Sequence, residues 1–408
     1  MRDAVSSSSL SVFDTTPGHF GTRWPGEAVF GAGCVARLPE WARREDVRRP
    51  LLLSDAGLAA TGLLARVADT LRQAGIEPVC HDDVDANPTV RHVHAAAQRW
   101  HENRCDALIA LGGGSVIDVG KVLTAMLGSD APLAEVLQHG DAALFRPVPP
   151  FAAVPTTAGT GSESTIAALI KDEAGRKHVM RSHRCRPQWV ALDPLLTLTV
   201  PLAVTASTGF DVMMHALGAA TNRASHPIGE ALALDALRRT IAALPAVLAQ
   251  PDDEAARADM LLASYLAGVA MSLRGVDGIH GLCTPLEAIV DAPHAHVLAV
   301  VCEPLMRFNM AAIADRYAAA AQACGLAAPG QSTARQAVAL IDKVCELRDL
   351  AGLPSWLDAL GAIPADMSAV HAAAASNASA RLNGRPLSHD DIVALYAAMR
   401  REPYVALS

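Results

Sequence analysis

Two arrangements of hydrophobic residues divide the chain. From about residue 25 to about residue 200, short runs of Val, Leu and Ala alternate with amphipathic stretches, which is typical of a parallel sheet covered by helices. This half is predicted to hold strands at 50–54 and 107–111 and helices at 63–74 and 91–104. Beyond Pro201 the apolar residues recur every three to four positions, which predicts helices at 229–248, 254–273 and 333–350. We therefore expect an α/β N-terminal domain followed by an all-α C-terminal domain.

Length and composition limit the class of protein. A chain of 408 residues is too long for one ordinary core, and we expect a flexible tail at 1–20, an α/β domain at 21–200 and a helical domain at 201–408. A net charge of −8 without a basic cluster argues against nucleic-acid binding. No signal sequence and no apolar run of about 18 residues is evident, which predicts a cytoplasmic protein with no membrane partner. The eight cysteines form no C-x-x-C pair, which favours reduced thiols.

A glycine triplet follows the strand predicted at 107–111 and precedes a helix. Gly112, Gly113 and Gly114 would let the backbone approach a pyrophosphate, and the N–H groups of the helix start would point at the anion. The same triplet also suits a plain strand-to-helix turn. Ser115 and Asp118 have the spacing of a capping box. The run is not G-x-G-x-x-G, so it does not predict a standard Rossmann fingerprint.

A second small-residue loop at 155–163 offers hydroxyl groups and flexible backbone for a nucleotide, although loops of this composition are often only turns. Asp55 follows the strand predicted at 50–54. A carboxylate there could accept a hydrogen bond from an adenosine ribose and favour NAD over NADP, and it could equally cap a helix or lie on the surface.

Four residues of the second half suit a metal. Asp211 and His215 are four apart on a predicted helix, so both side chains project from one face, and His280 and His294 add imidazoles. Each alone is more often a structural residue. Together they suit Fe, Zn, Co or Ni better than Mg or Ca.

Several motifs in the same order along the chain resemble those of iron-containing alcohol dehydrogenases. The segment 112–121 is similar to that family's G-G-G-S-x-x-D-x-x-K, 155–163 to its P-T-T-x-G-T-G-S-E, and 193–194 and 208–211 continue the pattern. The resemblance covers roughly residues 25–400. It implies a dehydroquinate synthase-like fold, in which a nucleotide-binding α/β domain precedes an all-helical metal domain. It also implies an NAD(P)-dependent oxidoreductase acting on CH–OH groups, expected as a homodimer.

The resemblance also implies roles for individual residues. The metal, Fe²⁺ or sometimes Zn²⁺, would be bound by Asp211, His215, His280 and His294. Lys177 falls where the family has a lysine near the cofactor ribose. The residues implied to contact NAD or NADP are Asp55, Gly112, Gly113, Gly114, Ser115, Asp118, Thr156, Thr157, Thr160, Ser162 and Lys177.

The chain departs from the family pattern near the third histidine. Thr284 stands where members commonly have a histidine that helps to relay protons, and Glu287 replaces a usual glycine. A threonine hydroxyl can pass a proton but does not titrate near neutral pH. We therefore predict Thr284 and His296 as catalytic candidates, with a packing or surface role as the alternative for His296. A cofactor-binding protein without turnover is a further alternative.

The expected function is hydride transfer between nicotinamide and a small aldehyde or ketone, with the metal polarising the carbonyl. Alanine at position 295 resembles maleylacetate reductases, whereas the loop at 155–163 is of the general alcohol dehydrogenase type. Another alternative is a dehydroquinate-synthase-like cyclase or a glycerol phosphate dehydrogenase. Either would need a basic pocket for a phosphate, for which the sequence offers only Arg181, Arg184 and Arg186.

Overall fold

The computed structural model describes residues 20–400 and divides the chain into two compact units. One, the sheet unit, consists of Trp24–Gly209 and Ala246–Ser272. The other, the helical unit, contains Phe210–Pro245 and the described residues from Leu273 onward. The flexible tail predicted at 1–20 lies outside the described residues except for its last position. The domain limits at 200 and 201 stay a prediction, and residues 246–272 group with the sheet unit.

All eight strands of the described residues belong to the first half of the chain. They are β1 Glu27–Phe30, β2 Pro50–Leu53, β3 Val79–His81, β4 Ala107–Gly112, β5 Phe151–Pro155, β6 Ala167–Lys171, β7 Lys177–Arg181 and β8 Trp189–Leu192. Six form a parallel sheet in the order β1-β8-β5-β4-β2-β3, and β6 and β7 pair antiparallel. This arrangement confirms the predicted parallel α/β half.

The helices of the sheet half cover both faces of the sheet. They are α1 Leu38–Arg44, α2 Ala56–Ala60, α3 Leu63–Gln73, α4 Val90–Asn103, α5 Gly114–Leu127 and α6 Leu133–His139. Strand β4 shows why helices lie on both faces of the sheet. Its residues Leu108 and Ala110 pack into the core that contains α4 and α5. The alternate residues Ile109 and Leu111 point to the other face and pack into the core that contains α1 and α3. A strand buried on both faces is apolar at every position, as the sequence of β4 is.

Residues from 202 onward form helices and no strand within the described residues. They are α7 Leu202–Thr221, α8 Pro227–Ala249, α9 Glu254–Arg274, α10 Gly278–Leu286, α11 His294–Ala323, α12 Thr333–Leu350, α13 Ser368–Ser376, α14 Ala378–Arg381 and α15 His389–Met399. Short 3₁₀ turns occur at Cys34–Arg37, Gly140–Ala143, Pro194–Thr197 and Leu357–Leu360. The predicted all-α second half is confirmed.

Helix α11 is long and apolar enough to cross a membrane by length and composition alone. However, 56% of its most apolar window is buried inside the protein, as in a core helix. It contains Pro304 and one residue with non-helical backbone angles, Ile313. All eight cysteines are free thiols, as their spacing predicted.

Candidate active site

The carboxyl ends of three neighbouring strands carry most of the predicted cofactor residues. Asp55 comes shortly after β2, the glycine triplet ends β4, and Thr156 follows β5 directly. The peptide N–H of Thr156 donates to the Gly112 carbonyl at 3.1 Å, which joins the two loops at the sheet edge. Ligands of open parallel sheets bind at this edge, where the strand order reverses direction.

The two loops are packed so closely that glycine is required. A Cβ on Gly114 would lie 2.6 Å from Thr160 Oγ1 and 2.7 Å from its methyl carbon. Gly161 packs against α9 instead: it has a φ of +60°, and a Cβ there would lie 2.7 Å from the Ser264 carbonyl oxygen. Gly113, Ser115 and Thr160 remain partly or fully exposed at this edge. The backbone and hydroxyls there are accessible to a ligand.

The predicted capping box of Ser115 and Asp118 is wrong. The N-cap of α5 is Gly113, so Ser115 is the second residue of the helix and Asp118 lies in its second turn. Asp118 is buried and accepts hydrogen bonds from Ser162 Oγ at 2.5 Å and from the Leu169 N–H at 2.9 Å. Asp118 and Ser162 therefore tie the second loop and β6 to α5.

Lys121 is a buried residue to which the sequence assigned no role. Its ammonium donates to Ser162 Oγ and Thr165 Oγ1, both at 3.0 Å, and to the Ala167 carbonyl at 2.6 Å. Burial lowers the pKa of Lys121 to about 8, although Asp118 and Glu163 oppose the shift. Lys121 lies three positions after Asp118 on the same helix, and this spacing of opposite charges could have indicated that the two side chains lie close together.

Glu163 is also buried, with 2% of its surface exposed. Burial raises the pKa of its carboxyl to about 7, against the attraction of Lys121. Its Oε1 makes no hydrogen bond among residues 20–400. The nucleotide-type loops thus rest on a buried polar cluster of Asp118, Lys121, Ser162 and Glu163.

Asp55 and Lys177 lie in different surroundings. Asp55 caps α2, since its Oδ1 accepts from the Leu58 N–H at 2.8 Å, and it remains partly exposed. The capping role considered for Asp55 is therefore present. Lys177 begins β7 and is exposed.

The four predicted metal ligands come together within the helical unit. Asp211 and His215 lie one turn apart on α7, His280 lies on α10, and His294 begins α11. One potential ligand atom from each residue lies within 4.8 Å of the others. The Nε2 atoms of His215, His280 and His294 are 3.4, 3.7 and 3.6 Å from Asp211 Oδ1. Spacing in the sequence had predicted the proximity of Asp211 and His215 only.

The donor set suits a transition-metal ion. Metal–ligand bonds of about 2.1 Å in tetrahedral geometry separate donor atoms by roughly 3.4 Å, close to the three distances to Asp211. Asp211 Oδ1 and both ring nitrogens of His280 are buried and make no hydrogen bond in the described part of the chain. Burial tends to raise the pKa of Asp211, but His215 and His294 outweigh it and hold the pKa below its usual range.

Two further residues contact His294. Glu287 Oε1 forms a short hydrogen bond with His294 Nδ1, and the thiol of Cys283 lies 3.6 Å from the same nitrogen. Thr284 is exposed, and its hydroxyl donates to the His280 carbonyl at 3.0 Å within α10. His296 is half-buried in the first turn of α11. The sequence marked Glu287 only as a departure from glycine.

Two of the three arginines considered as a phosphate pocket donate to backbone carbonyls. Arg184 donates to the carbonyls of Leu144 and Arg146, and Arg186 donates to that of Trp24. The guanidinium groups of Arg184 and Arg186 are thus bonded to the chain itself.

A parallel sheet with glycine- and threonine-rich loops at its carboxyl edge, together with an Asp/His₃ group, fits a nicotinamide- and metal-dependent oxidoreductase. The family model described as iron-containing alcohol dehydrogenase matches residues 25–194, and that for the C-terminal part of the Fe-containing alcohol dehydrogenase family matches 205–400. The chain belongs to this family, whose members use NAD(H) and iron and act on CH–OH groups.

Known proteins cover nearly the whole chain. A probable alcohol dehydrogenase, EutG, of Escherichia coli K12 is 33% identical over 92% of this chain and 93% of its own. The crystal structure of a 1,3-propanediol oxidoreductase has a TM-score of 0.89 and 30% identity, covering 93% of this chain and all of that one. A sulfoacetaldehyde reductase from Bifidobacterium kashiwanohense in complex with NAD⁺ has a TM-score of 0.86 and 26% identity, covering 93% and 98%.

Proposed function

We propose that this enzyme interconverts a small aldehyde or ketone and its alcohol, and that Asp211, His215, His280 and His294 hold its divalent metal. The observation that carries the proposal is the convergence of three imidazole Nε2 atoms on one buried, otherwise unbonded carboxylate oxygen. Buried polar groups are normally satisfied, so a set of donors left open in this way suits a cation.

The chemistry is divided between the cofactors and the chain. When bound, the nicotinamide carries the hydride and the metal polarises the substrate oxygen as a Lewis acid. The chain supplies the donors, because α7, α10 and the start of α11 carry the four side chains close to one another. Iron is the metal we expect, with zinc as the alternative that the same donors accept.

For the cofactor, we propose that the accessible groups of the two loops bind the dinucleotide directly. These groups are the backbone of Gly113 and Gly114 and the hydroxyls of Ser115, Thr157 and Thr160. The buried Gly112 and the exposed Lys177, which begins β7, are proposed to contact the dinucleotide as well. Thr156, Asp118 and Ser162 are buried, and we propose that Asp118 and Ser162 act by holding the loops in shape. The partly exposed carboxylate of Asp55 would accept from a ribose hydroxyl and favour NAD over NADP.

Proton transfer is assigned to Thr284 and His296 as the remaining catalytic candidates. The Thr284 hydroxyl donates to the His280 carbonyl at 3.0 Å. To relay a proton received from a substrate alcohol, it must turn its own O–H from that carbonyl to a basic acceptor and release its proton there. His296 supplies a titratable ring two residues after His294. We further propose that the enzyme is a cytoplasmic homodimer.

The metal assignment is tested by elemental analysis of the purified protein and of His280→Ala. We expect about one metal per chain in the wild type and a large loss in the variant. Equal metal content in both proteins would show that His280 is not a ligand, and the proposed four-residue metal site would then be wrong.

The reaction is tested by following absorbance at 340 nm with NADH and NADPH, with Fe²⁺ or Zn²⁺ added anaerobically. The substrate panel contains short aldehydes, ketones and diols, together with keto acids of the maleylacetate kind because of Ala295. Oxidation of the reduced cofactor by a neutral carbonyl compound is the expected result. Cofactor binding without turnover of any substrate would favour the non-catalytic alternative.

The cofactor preference is tested separately with Asp55→Ala, assayed beside Asp252→Ala, which removes an exposed carboxylate elsewhere in the sheet unit. We expect Asp55→Ala to raise the use of NADP relative to NAD and Asp252→Ala to leave the ratio unchanged. The same ratio in both variants would refute the assignment of Asp55 to the ribose.

A further inference from the structure

Helix α10 presents more than one polar residue on the face that carries His280. Residues 280, 284 and 287 follow the spacing of successive helical turns and share that face. Glu287 is the C-cap residue of α10, and only 8% of its side chain is exposed. A carboxylate is rarely buried to this degree without a specific partner.

The partner of Glu287 is a ring nitrogen of His294. Glu287 Oε1 bonds to Nδ1, whereas Nε2 on the other side of the ring lies 3.6 Å from Asp211 Oδ1. One nitrogen therefore faces a carboxylate and the other faces the donor cluster. An imidazole that donates its Nδ1 proton to a carboxylate has its Nε2 lone pair available for a cation, and the same contact fixes the ring orientation.

His294 has more need of such support than the other three ligands. Its side chain is 39% exposed, against 8% for Asp211, 10% for His215 and 9% for His280. The rings of His215 and His280 also stack on each other, with centroids 4.7 Å apart and planes 13° apart. His294 is the first residue of α11 and follows Pro293 in a connecting segment. Packing restrains it less, so a hydrogen bond has more to contribute.

We propose that Glu287 is a positioning residue for the metal site: its carboxylate keeps the proton of His294 on Nδ1 and directs Nε2 at the cation. This inference rests on the proposed metal ligands. The Cys283 thiol is a weaker candidate for the same task, because it lies 3.6 Å from Nδ1 and a thiol is a poor hydrogen-bond acceptor.

The experiment measures metal affinity rather than turnover. The full chain, stripped of metal, is titrated with Co²⁺ in competition with a chelator, and the visible absorption of bound Co²⁺ reports the coordination. The variants are Glu287→Gln, Glu287→Ala, His280→Ala and Asp291→Asn. Asp291→Asn is the matched control, because Asp291 is an exposed carboxylate of the same connecting segment. Thermal unfolding of each metal-free variant records any general loss of structure.

We expect Glu287→Ala to weaken Co²⁺ binding about 10- to 100-fold and to change the absorption spectrum. Glu287→Gln should recover part of that affinity, since its amide oxygen still accepts from Nδ1–H but carries no charge. Asp291→Asn should bind like the wild type. A purely structural role of Glu287 would lower the unfolding temperature of the metal-free protein without this recovery by glutamine.

The outcomes separate the two proposals. If the wild type and His280→Ala bind Co²⁺ alike, the metal site itself is wrong. If His280→Ala loses binding while Glu287→Ala binds as tightly as Asp291→Asn, the metal site stands and the role of Glu287 is refuted. Loss of affinity in Glu287→Ala with no recovery in Glu287→Gln also refutes it.

Discussion

The buried carboxyl of Glu163 makes the stability of the sheet unit depend on pH in a direction that can be measured. Burial raises its pKa from 4.5 to about 7 in the folded protein. As the pH rises from 4.5 to 7, the unfolded chain releases this proton while the folded chain keeps it, so the free energy of unfolding falls. The two pKa values differ by 2.5, and each pKa unit corresponds to about 1.4 kcal/mol. The free energy of unfolding should therefore fall by about 3 kcal/mol over this pH range.

The test compares Glu163→Gln with the wild type by chemical denaturation between pH 4.5 and pH 8. Glutamine cannot ionise, so the stability of the variant relative to the wild type should rise by about 3 kcal/mol over this range and then level off. Glu173→Gln removes the same charge from an exposed position of the sheet unit and serves as the control. If the free energies of unfolding of Glu163→Gln, Glu173→Gln and the wild type change with pH in parallel, burial does not raise the pKa of the Glu163 carboxyl.

Three other substitutions test separate contacts. Gly114→Ala should lower NAD affinity and cost about 1 to 3 kcal/mol of stability, because its Cβ meets the Thr160 side chain. Adding Thr160→Ala should restore much of the stability in calorimetry but not the NAD affinity, since the Thr160 hydroxyl is lost as well; no recovery of stability would contradict the clash. Tyr396→Phe should cost about 1 kcal/mol in denaturation, since its hydroxyl donates to the Leu282 carbonyl at 2.7 Å, and unchanged stability would contradict this. Asp193→Ala should cost about 3 kcal/mol, because the carboxylate accepts from the N–H groups of Gly33, Val35 and Leu195, and a loss below that of Tyr396→Phe would count against it.

Local signals made parts of the fold predictable. Helix α12 has the predicted limits because Ser332 caps its start and Gly352, with a φ of +67°, follows its end. Helix α3 is set by apolar residues at helical spacing, including Leu64, Val67 and Leu71, all of which are buried. In these segments the residues that decide the structure are neighbours in the sequence.

Contacts between distant segments account for what sequence patterns missed. The spacing of Ser115 and Asp118 indicated a cap, but Asp118 bonds instead to Ser162 and Leu169, which lie 44 and 51 residues further along. The pairing of Glu287 with His294 likewise depends on how the segment between α10 and α11 folds back. Spacing within one helix predicts that Asp211 lies beside His215, whereas His280 and His294 were grouped with them only by residue type and by the family resemblance.

The four proposed ligands come from three helices, and 83 positions of the sequence separate the first ligand, Asp211, from the last, His294. Without a cation, α7, α10 and the first turn of α11 hold a buried carboxylate among three imidazoles and lose the bonds that would connect them. A protein of this design would resist proteases best when it carries its ion, because ligands that bind only the folded state raise its stability. Cells short of the metal would therefore hold less of the enzyme itself, as well as less of its activity.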